Sequence, residues 1–164
     1  MTYLRLFPLV LLVACSFAPV VVSVPDFDIR AGSSGTVICY AHIKEAIGVQ
    51  FGSVRYEGDA LFTPGQSIGA LTNVEMVIYG RATDPNPNSS QEVKCVEASA
   101  ADTTLSDPIT LEVNLQRRVS AGGRQLASLV TESSYWIGAS IEDDSFFSLP
   151  GTIEFTDGVV KANF

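Results

Sequence analysis

His42 is the single histidine in 164 residues, two positions after Tyr40 on an apolar stretch. As a general base it would need a nucleophile to deprotonate and an acid to orient it. Alone it cannot build a His-rich zinc site. A histidine satisfied at a strand end or in a core is the simpler reading. Glu142-Asp143-Asp144 could offer hard oxygens to Ca2+, but it lacks the spaced ligands of an EF-hand loop, so a solvated acidic turn is expected. Arg117-Arg118 with Arg124 forms a small basic spot that could touch lipid headgroups; plain surface charge is the expectation. Asn88-Ser89-Ser90 fits a glycosylation acceptor, which would matter only on a eukaryotic export route. No G-x-S-x-G, H-E-x-x-H or phosphate-loop motif occurs. The sequence therefore leads to a non-catalytic protein with no metal and no cofactor.

Cysteine supplies the remaining chemistry. There are three, Cys15, Cys39 and Cys95, and no C-x-x-C that would suit metal or redox work. Cys39 falls in register with Val37 and Ala41, and Cys95 with Val93, so each sits on the apolar side of a strand-like stretch. In an exported chain such a pair reads as one disulfide, Cys39–Cys95. Two separate buried thiols are the alternative.

Cys15 ends a different kind of segment. Arg5 is followed by an uncharged run from Leu6 to Val24, whose core from Leu6 to Val13 has the length of an export signal. Pro8 and Pro19 spoil the run as a regular spanning helix. The tetrad Leu12-Val13-Ala14-Cys15 resembles the lipobox of bacterial lipoproteins. That resemblance covers the first fifteen residues alone. It implies cleavage before Cys15, acylation of its sulfur with palmitate-type chains, and anchoring to a membrane of the cell envelope. Ser16 stands where many inner-membrane lipoproteins carry Asp, which by the same resemblance favours an outer membrane if the cell has one. Three other readings stay open: soluble secretion after cleavage behind Ser23, an uncleaved anchor of about 20 apolar residues, and a buried apolar segment.

The chain is sized for one domain. The expected division is a signal peptide at 1–14, a lipidated N-terminus and short tether at 15–25, and one folded domain at 26–164. Apolar residues make up 46%, enough for a core, and charged residues only 17%, so disorder is not expected. The net charge of −8 argues against nucleic acid and anionic lipid as partners.

The domain reads as strands and turns. Strand patterns run at Asp26–Arg30, Thr36–His42, Val49–Tyr56, Ala60–Phe62, Asn73–Ala82, Glu92–Ala98, Ile109–Leu115 and Ser134–Glu142. Turn signals stand at 31–35, at Gly58-Asp59, at Pro64-Gly65 and along 84–90. Residues 117–132 are ambiguous between a short helix and a loop. Asp157-Gly158 favours a type I′ hairpin. It would pair Phe155 with Val160 and Ile153 with Ala162, all on one face, with Glu154 opposite Lys161 on the other.

Eight or nine short strands with little helix predict an antiparallel β-sandwich, with a small barrel second. An immunoglobulin-like topology is open by analogy, although Trp136 follows both cysteines instead of lying between them. The function that fits is a membrane-anchored envelope lipoprotein whose sandwich is an interaction or structural module, partnered by the membrane through Cys15 and by an envelope protein or glycan. A sugar or small-ligand binding domain is the first alternative, favoured by an open face lined with Tyr40, Tyr56, Tyr79, Tyr135 or Trp136. A hydrolase of envelope polymers is the second, requiring two carboxylates about 5–9.5 Å apart in a cleft.

Overall fold

The structure is a computed structural model that describes residues 18–30, 37–45, 47, 52–65, 72–132, 134–141 and 151–163. The lipobox with Cys15, the turn at 31–35 and the acidic run Glu142-Asp143-Asp144 lie outside the described residues.

The strands in chain order are β1 (Val20–Val24), β2 (Phe27–Arg30), β3 (Val37–Ile43), β4 (Ser53–Pro64), β5 (Asn73–Arg81), β6 (Val93–Glu97), β7 (Thr103–Thr104), β8 (Ile109–Glu112), β9 (Arg117–Gly122), β10 (Tyr135–Ile141) and β11 (Gly151–Asn163). A single short helix among the described residues, α1 (Arg124–Leu129), precedes β10. They form two antiparallel sheets packed face to face, and no closed barrel is seen. In the first sheet the order is β1-β11-β4-β9, and β2 continues the line of β1 along β11. In the second it is β6-β3-β10-β5, with β7 and β8 sharing the far edge of β5.

No described strand pairs with its immediate successor; the chain crosses repeatedly from one sheet to the other. Counting β1 with β2, and β7 with β8, this is the eight-strand, two-Greek-key order of a jelly roll, with β6 added beside β3. An immunoglobulin-like order would instead set consecutive strands side by side. The core between the sheets is built by alternation. Val54, Tyr56, Ala60 and Phe62 of β4 face Ile137, Ala139 and Ile141 of β10 across the layer, all essentially buried.

Five local expectations are corrected or resolved. Asp157-Gly158 is not a hairpin turn, because β11 runs unbroken for 13 residues between β4 on one side and β1 and β2 on the other. Its left-handed residue, Asp157 (φ 52°), is instead the extra residue of a β-bulge opposite β4. Ile153, Phe155, Val160 and Ala162 do share the buried face, but by facing the other sheet and not each other. Gly58-Asp59 lies inside β4, where Gly58 leaves room for the Tyr56 ring. Val20–Val24, expected as tether, is a strand with Val22 and Val24 in the core. Residues 117–132 hold both β9 and α1, the latter docked through Leu126 and Leu129. The Ile109–Leu115 pattern stops early: Asn114 turns with positive φ and Leu115 points out.

Candidate functional site

Two surfaces gather side chains able to do chemistry, and each is the outer face of one sheet. On the second sheet, β3, β6 and β10 bring Tyr40, His42, Lys94 and Trp136 together. His42 and Trp136 are cross-strand neighbours and their rings stack, with centroids 4.2 Å apart and planes 8° apart. The Lys94 ammonium sits 4.9 Å above the Trp136 ring. Two connections fold over this patch. From the 82–92 loop, Asp84 takes both of its carboxylate oxygens to Lys94 Nζ (2.7 and 2.8 Å), and the Asn86 carbonyl accepts a third bond at 2.8 Å. From the 98–102 loop, Asp102 accepts the Tyr40 hydroxyl at 2.8 Å and pairs with Arg81 at 3.3 Å.

The result is a second, smaller core. Ile38, Tyr40 and Trp136 are buried there and Lys94 is only 5% exposed. Burial, reinforced by the Lys44 charge, holds the His42 imidazole below its ordinary range. Burial pushes the Tyr40 phenol far up, and Asp102 adds to it. In this cluster His42 is the stacking partner of Trp136. Of the aromatics that could have lined an open binding face, Tyr40, Tyr56, Tyr135 and Trp136 are all buried, and Tyr79 is half-buried against the second core.

The outer face of the first sheet is open. Alternation on β4 turns Val54 and Tyr56 inward and Ser53, Arg55, Glu57 and Asp59 outward. β9 contributes Arg118 and Ser120, and β11 contributes Lys161 and Asn163. The connection 104–109 and the residues around Gly123 raise a wall beside them. With that wall, Ser53, Arg55, Glu57, Ser120, Lys161 and Asn163 line an open groove of about 950 Å3; Asp59 and Arg118 are not part of its lining.

A ladder of charge runs along it. Lys161 Nζ bonds Glu57 Oε2 at 2.7 Å, Arg118 reaches Glu57 at 3.6 Å and Asp59 at 3.1 Å, and Gln116 donates to Asp59 at 2.9 Å. The Lys161 hydrogen bond, aided by Arg118, holds the Glu57 carboxyl below the usual carboxylate range. The hydrogen bond to Asp59 raises the Arg118 guanidinium further. Glu57 and Asp59 stand two residues apart on one strand face, roughly 7 Å at strand rise, and Arg118 bridges them. A carboxyl held ionised by two cations suits a charged anchor and not a proton donor. Arg117 donates to the Thr110 carbonyl while Arg118 joins Glu57 and Asp59, so these two adjacent arginines are engaged separately; Arg124 opens α1.

Cys39 and Cys95 are disulfide-bonded, directly opposite each other on β3 and β6. Among the described residues no group of three or more His, Cys, Asp or Glu could hold a metal ion. No described helix is long and apolar enough to cross a membrane. Neither a protein-family model nor a curated protein matches the chain.

Sequence reasoning did not single out Arg55 or Glu57, and it set Lys161 against Glu154, whereas the fold sets it opposite Arg55 and bonds it to Glu57. The signal of Arg55 and Glu57 was present in the polar alternation of residues 53–59, but the supposed turn at Gly58-Asp59 broke that pattern in two.

Proposed function

We propose that this protein is a cell-envelope lipoprotein, anchored through an acylated Cys15, whose jelly-roll sandwich serves as a non-catalytic interaction module. The observation that carries the anchor is the pairing of β1. Val20–Val24 is hydrogen-bonded along β11, with Val22 and Val24 in the core. Secretory cleavage behind Ser23 would remove most of that strand, whereas cleavage before Cys15 leaves it whole. The Cys39–Cys95 bridge supports an oxidising compartment and leaves Cys15 as the odd cysteine. Five residues of chain from Cys15 to Val20 reach at most about 17 Å. The anchor thus holds the sandwich close to the bilayer by the end where β1 starts and β11 finishes. One acyl chain binds membranes marginally, so more than one is expected.

The test is the intact mass of the protein from membranes, with and without Cys15→Ala. The wild type should begin at Cys15 and carry acyl mass. The variant should remain unprocessed or leave the membrane. A mature chain beginning at Val24 would overturn the proposal.

A further inference from the structure

We infer that the groove on the first sheet binds an acidic glycan, with Arg55 gripping a sugar carboxylate. This deepens the interaction-module reading and rests on it. The register of β4 and β11 sets Arg55 directly opposite Lys161. Like charges so placed destabilise a sheet, and the neighbouring acids relieve only part of it. Glu57 takes Lys161 and leans on Arg118, which is also held by Asp59. Arg55 is exposed and has no ion pair or hydrogen bond among the described residues. Its guanidinium therefore presents a complete planar fork of donors to the groove, the geometry that takes a carboxylate through two parallel bonds.

The rest of the lining selects the kind of anion. Ser53, Asn163, Ser120, Thr104 and Gln125 give the groove neutral donors and acceptors on both sides, as a hydroxyl-rich ligand requires. Asp107 on the facing wall can accept from sugar hydroxyls. It also repels a densely charged polyanion, which favours carboxylates spaced along a sugar chain over clustered phosphates. The volume of about 950 Å3 lies near the top of the ligand-pocket range of roughly 300–1,000 Å3, room for more than one sugar unit. A bilayer surface is a poorer fit, because a concave site does not match a flat one.

Titration calorimetry on the full chain in non-ionic detergent decides it, with oligogalacturonate as the acidic probe and dextran oligomers as the neutral one, and with phosphatidylglycerol vesicles, added after detergent removal, as the lipid one. Oligogalacturonate should bind saturably and more tightly than dextran. Arg55→Ala should weaken that binding about tenfold or more, the size expected for a lost charge-assisted bond. Arg55→Lys should fall between, and Lys44→Ala, a surface cation outside the groove, should change nothing. Equal melting temperatures show that the variants fold. Undiminished binding by Arg55→Ala, preference for dextran, or binding to the vesicles alone overturns the inference. Cys15→Ala must bind the oligomer as the wild type does; a failure of the anchor reading appears only in the acyl mass, independently of this result.

Discussion

The ring of Tyr40 fills the space that a side chain at Gly138 would need. The two residues face each other on β3 and β10. A Cβ at 138 would lie 2.6 Å from Tyr40 Cδ1 and 2.4 Å from the Cys39 carbonyl oxygen. The second of these is backbone in a central strand pair and cannot swing away. Gly138→Ala should therefore cost about 3 kcal/mol, at the upper end of overpacking effects. Chemical denaturation followed by Trp136 fluorescence measures it, and an unchanged midpoint would remove the claim that Tyr40 is clamped there.

The bridge between Cys39 and Cys95 spans a sequence separation of 56 and ties the added edge strand β6 to β3. Constraint of the unfolded chain alone gives about 4 kcal/mol for a loop of this length. Cys39→Ala with Cys95→Ala should lower stability by that order. Comparing denaturation of the oxidised wild type with the double variant checks it. Equal stability would show that β6 is held by its other contacts.

Lys94 is a nearly buried cation whose only ion-pair partner among the described residues is Asp84, itself 40% exposed at its side chain. Removing Asp84 leaves the ammonium with Trp136 and one carbonyl. For a fully buried pair the loss would be roughly 3–5 kcal/mol; with a half-exposed partner about 2 kcal/mol is expected for Asp84→Ala. Lys94→Met fills similar volume without the charge and should be milder. If Lys94→Met proves the more damaging of the two, the ion pair is not what fixes the 82–92 loop.

His42 should make the domain acid-sensitive. Burial and Lys44 hold its pKa below the ordinary 6.5, so the folded state favours the neutral ring. The unfolded state then binds more protons between the two values, and stability rises with pH there. The stabilising contribution is complete above about pH 6.5 and is lost as pH falls through the folded value. Glu57 and Asp84 also titrate below their ordinary values, so their losses begin lower, near pH 4. His42→Phe keeps a ring against Trp136 and removes the titration. Its melting temperature should be flatter than that of the wild type between pH 5 and 7, and equal slopes would refute the assignment.

Much of the sandwich was legible because strand alternation is a local property. The patterns at 73–82 and 134–142 became β5 and β10 almost residue for residue, and the Cys39–Cys95 bridge was read from two cysteines on apolar registers in a chain taken as exported. The loop at 84–90 was equally plain, though its Asp84–Lys94 contact was not.

What the sequence alone determined was most of the strand stretches and, for most of those, the face each one buries. Tertiary structure decided the partners. Asp157-Gly158 carries a strong local turn signal, yet β11 gains backbone hydrogen bonds from neighbours on both sides by running straight through it, and the same two residues become a bulge. Val20–Val24 was hidden by its likeness to the apolar run before it, and became a strand only because β11 offered an edge. Trp136 was named among residues that could line an open face, and it is buried because two distant loops close over it. The groove has the same origin: Arg55 and Glu57 on β4 are far in sequence from Lys161 on β11, and only the β4–β11 register sets them side by side. Alternation is fixed residue by residue, whereas register is fixed by which of many competing edges satisfies the most backbone groups at once, and that sum exists only in the folded chain.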